Sequence, residues 1–360
     1  MDPVRIEVPS VHGTYRVLVG AGLTQRAAEW LPAKADGVAV VVSCPPVWRA
    51  LGRSARAVAG GRPAVMIPDG ERAKTLATVA RLYEAFVRRK LDRAGTVIAL
   101  GGGVVGDVAG FAAATFLRGV GLIQVPTTLL SQVDSAIGGK VGVNLVAGKN
   151  LVGAFHPPRL VVCDPRVLTS LPRREFRAGV YEVIKYGVIA SGALFDRVAQ
   201  ALDRLMDQDA AELAHVIAEC CRIKASVVSE DEHEAGPRRV LNFGHTVGHA
   251  LEAMTGYRRF RHGEAVAYGM LAAARLSVLR GLLQPADEAR LQAVIARLGP
   301  RPSVTDLRAS QALALIGQDK KVARGRLHVV LARGLGATQI VADVTPTELS
   351  AAMRAIGMRA

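Results

Sequence analysis

Between Thr96 and Asp107 the chain reads Thr96-Val97-Ile98-Ala99-Leu100-Gly101-Gly102-Gly103-Val104-Val105-Gly106-Asp107, an apolar, β-branched run that stops on three glycines. Such a run predicts a strand buried on both faces, and Gly101-x-Gly103-x-x-Gly106 after it predicts a tight turn opening a helix. Glycines in that position let the backbone approach a pyrophosphate, and a helix N-terminus favours negative charge. The acidic residue of the ordinary dinucleotide fingerprint, about twenty positions on, is missing. Asp107 stands directly after the glycines instead.

Similar apolar runs at 38–42, 64–67, 122–125 and 160–163 alternate with helical stretches such as 75–90. That alternation predicts a largely parallel sheet covered on both faces. Residues 5–8 and 14–19, separated by His12-Gly13, predict an antiparallel hairpin. From Phe176 the period turns helical, over 180–190, 211–228, 246–254, 264–279 and 285–298. Short β-like runs at 326–331 and 339–341 and a last helix from Pro346 close the chain. At roughly 100–200 residues per domain, the 360 residues suit two domains, with a boundary expected between 172 and 173.

Composition narrows the class. The run 96–117 is the most membrane-like, but Asp107 and five glycines make it a poor lipid-facing span, so no membrane partner is expected. The first residues hold no apolar segment of the secretory kind. The four cysteines (Cys44, Cys163, Cys220, Cys221) lack CxxC spacing and suit a reducing cytoplasm. Lys+Arg exceed Asp+Glu by 46 − 31 = 15, but the basic residues are dispersed and aromatics are only 4%. That distribution argues against nucleic acid and fits a solvated surface that attracts small anions.

Two further segments carry chemistry. Thr127 and Thr128, then Asp134, Lys140, Lys149 and Asn150, lie in a stretch rich in Gly, Thr and Lys, and its lysines are point charges suited to phosphate and carboxylate. Leu241-Asn242-Phe243-Gly244-His245-Thr246-Val247-Gly248-His249 puts two imidazoles at i and i+4, on one face of a helix. Extended back by a turn, that helix would add Arg238 and Asn242 to the same face. His262 supplies a third imidazole, and Glu182 sits in an otherwise apolar helical run where a lone carboxylate would be costly. One carboxylate with two imidazoles and open positions makes a catalytic site of the Zn²⁺ type. Spacing does not decide which two of the three histidines bind.

Together with Pro68-Asp69-Gly70-Glu71, Arg118-Gly119, Gly148-Lys149-Asn150, Glu182-x-x-Lys185 and Asp319-Lys320-Lys321, these blocks resemble the 3-dehydroquinate synthase family over residues 10–335. The resemblance implies an α/β chain with a Rossmann-like N-terminal NAD-binding domain, a mainly helical C-terminal metal-binding domain, and an active site between them. It implies NAD contacts at Asp69, Gly70, Glu71, Arg72, Ala73, Lys74, Gly103, Val104, Val105, Gly106, Asp107, Thr127, Thr128, Lys140, Lys149, Val167, Leu168, Thr169 and Ser170. It makes Glu182, His245 and His262 the ligands of a divalent metal, Zn or Co. The catalytic and substrate-binding set becomes Arg118, Asp134, Lys140, Asn150, Lys185, Lys224, Arg238, Asn242, His249 and Lys320. The implied substrate is a small anionic sugar phosphate, 3-deoxy-D-arabino-heptulosonate 7-phosphate, handled by a cytoplasmic homodimer. Related cyclases of secondary metabolism, acting on sedoheptulose 7-phosphate or an amino substrate, are the alternative. One departure stands out. Ser43-Cys44 follows the strand at 38–42, where the family usually places a Thr-Asn or Asp-like pair for the adenosine ribose.

Overall fold

The structure, a computed structural model, describes residues 2–11, 13–31, 37–232, 234, 236–317, 322, 323 and 326–360. These form two compact units, Met1–Phe176 with Arg204–His233, and Arg177–Asp203 with Glu234–Ala360.

In the first unit a seven-stranded sheet runs in the order β1 (Val4–Ser10), β2 (Gly13–Val19), β9 (Leu160–Cys163), β6 (Gly121–Pro126), β5 (Thr96–Gly101), β3 (Ala39–Ser43) and β4 (Ala64–Met66). β1 pairs antiparallel with β2, and the other pairs are parallel. The expected strands and the hairpin are therefore present, each within a residue or two of its expected limits. Their near-continuous apolar character follows from burial on both faces. Val40, Val42, Val97, Ala99 and Leu122 pack under α3 (Leu76–Arg88) and α4 (Gly103–Thr115). Val41, Ile98, Leu100, Ile123 and Val125 face the other way, against α1 (Pro45–Leu51) and α2 (Arg53–Ala59). A separate hairpin, β7 (Lys140–Leu145) and β8 (Gly148–Phe155), replaces the loops that the Gly- and Lys-rich stretch suggests. Its glycines serve close pairing, since a Cβ on Gly142 would lie 2.6 Å from the carbonyl oxygen of Val152.

α5 (Arg173–Ala190) leaves the first unit at Arg177. It begins well before the expected residue 180, because Arg173, Arg174 and Glu175 hide the apolar period of its first turn. α6 (Gly192–Gln200) and α7 (Leu202–Met206) follow, and then α8 (Ala210–Glu230) belongs to the first unit again. A single cut after 172 misses this return. α8 buries Leu213, Val216, Ile217, Cys220 and Cys221 and packs on β1, β2 and the π-helical turn Ser131–Ser135.

The second unit contains α9 (His245–Met254), α10 (His262–Leu279), α11 (Pro285–Arg297), α12 (Ala309–Gly317) and α13 (Pro346–Ala355). It also holds the ladder of β10 (Val322–Ala323) with β11 (Arg326–Leu327) and the hairpin of β12 (Val329–Gly334) with β13 (Ala337–Val341). Val247, Leu251, Ala265, Leu276, Ile316, Leu331 and Met353 share its core. Among the described residues no helix is long and apolar enough to cross a membrane. The stretch from 96 to 115 is divided between β5 and α4.

α13 is fastened by a capping box in which the Thr345 N–H donates to Glu348 Oε2 at 2.8 Å and the Glu348 N–H donates to Thr345 Oγ1 at 3.3 Å. Arg280, just past α10, donates to both Glu348 oxygens at 2.7 and 2.9 Å. Arg280 first, then the Thr345 backbone and hydroxyl, hold the Glu348 carboxyl down from 4.5 to about 2. A carboxyl whose folded pKa is depressed contributes stability above its unfolded value and loses it as pH falls through the folded one. Glu348→Gln is therefore expected to cost about 1 kcal/mol at neutral pH. Its difference from wild type should shrink as the pH drops from 4.5 towards 2. Urea unfolding of both proteins at pH 7 and pH 3 checks this, and an equal gap at both pH values would contradict it.

Candidate active site

In the second unit, three helices bring polar side chains onto one carboxylate. Glu182 on α5 is 0% exposed, amid Tyr181, Val183, Ile184 and Tyr186. Its Oε2 lies 2.5 Å from Nζ of Lys185, one turn on, but neither carboxylate oxygen accepts a hydrogen bond of good geometry. His262 Nε2 stands 3.5 Å and His245 Nε2 3.9 Å from Glu182 Oε1. The other nitrogen of each ring is engaged. His245 Nδ1 is 3.2 Å from the Phe243 carbonyl oxygen, and His262 Nδ1 is 3.0 Å from Glu252 Oε2. Carbonyls and carboxylates only accept, so each ring carries a proton on Nδ1 and turns its Nε2 toward the orphaned Glu182 oxygen. With both Nε2 atoms unprotonated, the three lone-pair atoms repel unless a cation lies between them. Two ligands bound at about 2.1 Å in tetrahedral geometry sit about 3.4 Å apart, close to the spacing here. The donor set, one carboxylate and two imidazoles, fits a divalent metal of the Zn or Co kind.

The local sequence explains why the three helices meet. A Cβ on Gly263 would overlap the Ala178 carbonyl oxygen of α5, and one on Gly269 would overlap the Gly244 carbonyl oxygen. A Cβ on Gly248 would come within 3.2 Å of the Ala265 backbone. Glycine at these points lets α10 lie directly on α5 and α9, carrying His262 to Glu182. The helix expected over 246–254 is present as α9 (His245–Met254), without a backward turn that would carry Arg238 and Asn242 on its face. Gly244 has φ +79°, a Cβ there would meet the Met270 backbone N at 2.8 Å, and α9 starts at His245. Arg238 and Asn242 lie instead on the 3-10 turn Pro237–Asn242, Arg238 buried and the Asn242 amide donating to Glu234 Oε1 at 2.7 Å. His249 stays beside the cluster, with ring centroids 5.3 Å from His245 and 5.9 Å from His262.

A second set, His249, Glu252 and His262, also brings ligand atoms within 4.8 Å of one another. Glu252 is already spent on the Nδ1 proton of His262, whereas Glu182 lacks a hydrogen-bond donor, so the Glu182 set is the better metal site. Burial lowers the pKa of His262, but the hydrogen bond and charge of Glu252, with the charge of Glu182, outweigh it and leave the pKa raised. A cation binding at Nε2 must displace any proton held there. The motif reading stopped at His249 and missed Glu252. Its position, i+7 from His245, is on the same helical stripe and was the available signal.

In the first unit, Gly102 precedes α4 without any side-chain cap, which leaves the first-turn N–H groups of α4 available to an anion. The glycines divide by role. A Cβ on Gly101 would sit 2.5 Å from Val105, one on Gly106 2.9 Å from Gln124 Oε1, and one on Gly110 would collide with Val141. Those three serve packing. Gly103 has only ordinary clearance to Ser135 Oγ at 3.4 Å, so packing does not demand glycine there.

Lys74, 5% exposed, donates to Asp107 Oδ2 and Asn150 Oδ1, each at 2.5 Å. Burial pushes the Asp107 carboxyl up, opposed by the Lys74 ammonium. Asn144 donates to Glu71 Oε1 at 2.7 Å and accepts from the Asn150 N–H at 2.9 Å, while Lys149 lies 4.0 Å from Glu71. The loop of Asp69, Gly70, Glu71, Arg72, Ala73 and Lys74 is thereby tied to the β7–β8 hairpin. Lys224 on α8 donates to the Asp134 carbonyl at 2.6 Å and pairs with its carboxylate. Lys140 is exposed at the start of β7, Thr127 is buried after β6, and Thr128 Oγ1 shares a 2.7 Å hydrogen bond with Ser131.

Other candidates are not gathered in. Arg118 is exposed beyond the C-terminal end of α4, a helix about 20 Å long, so it lies at the opposite end from Gly103. Val167 and Leu168 are core residues, and the hydroxyls of Thr169 and Ser170 donate to nearby carbonyls. Lys320 lies outside the described residues. At the departure noted in the sequence, Ser43 Oγ donates to the Leu100 carbonyl at 2.7 Å and the buried Cys44 thiol lies 3.6 Å from Asp69 Oδ1.

The family described as 3-dehydroquinate synthase N-terminal matches residues 64–178, and that described as 3-dehydroquinate synthase C-terminal matches residues 179–322. The 3-dehydroquinate synthase of Solibacter usitatus is 45% identical over 94% of this chain and 96% of its own. That of Gloeobacter violaceus is 47% identical over 96% of this chain and 97% of its own. Among solved structures, 2-deoxy-scyllo-inosose synthase complexed with carbaglucose-6-phosphate, NAD⁺ and Co²⁺ aligns at TM-score 0.86 and 28% identity, covering 98% of this chain and 99% of that one. The 2-epi-5-epi-valiolone synthase of Streptomyces hygroscopicus, with NAD⁺ and Zn²⁺ bound, aligns at TM-score 0.84 and 29% identity over 95% of this chain and 96% of that one.

The division of the glycines is testable. Gly110→Ala is expected to destabilise the protein by about 1–3 kcal/mol through overpacking. Gly103→Ala should leave unfolding nearly unchanged while weakening dinucleotide binding about tenfold or more, by crowding the first turn of α4. Urea unfolding with calorimetric NAD titration measures both, and unchanged NAD affinity in Gly103→Ala would sink the assignment of that glycine.

Proposed function

The chain belongs to the 3-dehydroquinate synthase family, and on that premise we propose how its own residues carry the reaction. The protein is a phosphate-eliminating carbon–oxygen lyase of the shikimate pathway, converting 3-deoxy-D-arabino-heptulosonate 7-phosphate to 3-dehydroquinate and phosphate with NAD and a divalent metal. When bound, NAD supplies a hydride acceptor and donor and the metal supplies a Lewis acid for the oxygen at the oxidised carbon.

Glu182 Oε1, His245 Nε2 and His262 Nε2 hold the metal, while Lys185 fixes the other Glu182 oxygen. The open first turn of α4, at Gly103, Val104 and Val105, receives the pyrophosphate. Asp69 to Lys74, Gly106, Asp107, Thr127, Thr128 and Lys149 complete the dinucleotide contacts, to which the segment from Val167 to Ser170, its side chains buried or bonded locally, adds main-chain groups only. Lys140, Asn150, Lys185, Lys224, Arg238 and Asn242 grip the phosphate and carboxylate, with Lys320 as a further cation, whereas Arg118, beyond the far end of α4, is left out of this chain's own set. Asp134 aims Lys224, whose ammonium it holds. His249 stands at the leaving phosphate, a non-bridging oxygen of which serves as the base. That oxygen takes the proton from the carbon next to the ketone, the C–H pair forms the double bond, and the C–O bond breaks with its electrons leaving on the phosphate. Several cations on a doubly anionic substrate provide positioning and charge stabilisation. The observation that carries this reading is the convergence of two imidazole Nε2 atoms on a buried carboxylate oxygen that lacks a hydrogen-bond donor.

We assign residues 1–172 to NAD binding, joined by the α8 segment that carries Lys224, and the remainder to the metal. A cytoplasmic homodimer completes the proposal, supported by the family resemblance. The cyclases found among solved structures are only 28–29% identical, whereas the named synthases reach 44–50%. The heptulosonate is therefore favoured over the sedoheptulose.

Phosphate release with NAD and Zn²⁺ or Co²⁺, comparing the heptulosonate phosphate with sedoheptulose 7-phosphate, tests the reading. Metal-dependent release from the heptulosonate alone is expected, abolished by chelation and lowered about a hundredfold or more by Glu182→Gln. Cys44→Asn should leave turnover largely intact. Preference for sedoheptulose 7-phosphate would overturn the substrate, and activity untouched by chelation or by Glu182→Gln would overturn the metal site.

A further inference from the structure

Glu252 has no part in the reaction as assigned above, yet it is a carboxylate only 7% exposed, in a helix whose other buried residues include Val247, Ala250 and Leu251. A buried carboxylate is costly unless hydrogen-bonded, and here Oε2 lies 3.0 Å from His262 Nδ1. Its Cα is two turns along α9 from His245, so one helical stripe presents a metal ligand, then His249, then this carboxylate. We propose that Glu252 is a positioning residue for the metal centre. It accepts the Nδ1 proton of His262, fixes that tautomer and aims the Nε2 lone pair at the ion faced by Glu182 and His245. The inference rests on the metal reading given above.

The two imidazoles are not held alike. His245 is oriented by a neutral carbonyl at 3.2 Å, His262 by an anion at 3.0 Å. Hydrogen bonding to a carboxylate makes an imidazole a stronger donor and holds its ring angle, as outer partners of metal-bound histidines commonly do. Glu252 also supplies a second negative charge beside Glu182, matching a divalent ion, while Lys185 offsets the charge on the far oxygen of Glu182. The competing role, in which Glu252 is itself a ligand together with His249 and His262, would set it to bind an ion besides the Nδ1 group it holds at 3.0 Å, and the metal stoichiometry separates the two.

The test compares wild type with Glu252→Gln, which keeps size and an acceptor but loses the charge, and with Glu252→Asp, which keeps the charge on a shorter arm. Zn²⁺ affinity is measured by competition with a chromophoric chelator, stoichiometry by metal analysis, and ligand geometry by the visible spectrum of the Co²⁺ form. Thermal unfolding of the metal-free proteins serves as the control for folding. The expected result is one ion per chain throughout and a Zn²⁺ affinity about 10–100-fold weaker in Glu252→Gln. Partial recovery in Glu252→Asp, a changed Co²⁺ spectrum and a metal-free melting temperature close to wild type complete it. If Glu252→Gln does not fold, Glu252→Asp carries the test through its own smaller loss of affinity and altered spectrum. Unchanged affinity and spectrum in a folded variant overturn the proposal. So do two ions in wild type with one lost in Glu252→Gln, which would make Glu252 a ligand. A wild-type protein that takes up no Zn²⁺ or Co²⁺ overturns the metal reading itself, a result distinct from both.

Discussion

The Glu182 carboxylate, buried in a helix wall of tyrosine, valine and isoleucine, sets the terms for the second unit. An ionised carboxylate removed from water costs several kcal/mol unless charge and hydrogen bonds compensate it. Lys185 addresses one oxygen, and the other faces two imidazole Nε2 atoms, which makes matters worse when both are unprotonated and no cation lies between them. Such an arrangement is sustained by the rigidity around it. Gly248, Gly263 and Gly269 allow backbone-to-backbone approach of α5, α9 and α10, and outer partners lock both imidazoles. The proposed divalent ion would offset the cost of bringing these groups together.

The first unit solves the complementary problem. Its sheet is buried on both faces, and the strand ending at Gly101 delivers a helix N-terminus whose amide groups lack a side-chain cap. Three of the glycines in this region serve packing, whereas packing does not demand glycine at position 103. Lys74 then joins Asp107 to Asn150, so the segment after β4, the first turns of α4 and the β7–β8 hairpin are held in one polar network. A dinucleotide and an anionic substrate call for this pairing of a fixed amide cradle with several lysines.

Much of this was legible in the residues. The β5 run with its glycines told both the strand and the turn, because burial on both faces leaves an unbroken apolar string. His245 and His249 announced themselves by spacing on one helix, whereas Glu182 and His262 come from other helices. Spacing could not choose among them, and only the family resemblance did. Glu252 lay within reach of the same periodic argument. What could not be read depends on neighbours far away in sequence. That position 244 must be glycine follows from its crowding by Met270 and Val266. The β7–β8 hairpin resembles a loop because its glycines replace side chains at a close crossing. Helical period told that 211–228 is a helix but not that it packs on β1 and β2, since amphipathicity gives a face and not a partner.

The central claim is that Glu182, His245 and His262 hold one divalent ion. Anomalous diffraction at the zinc or cobalt edge, from crystals grown with the corresponding metal, tests it most directly. One peak is expected, within about 2.3 Å of Glu182 Oε1 and of the Nε2 atoms of His245 and His262. A peak among His249, Glu252 and His262 instead, or none near Glu182, would contradict it.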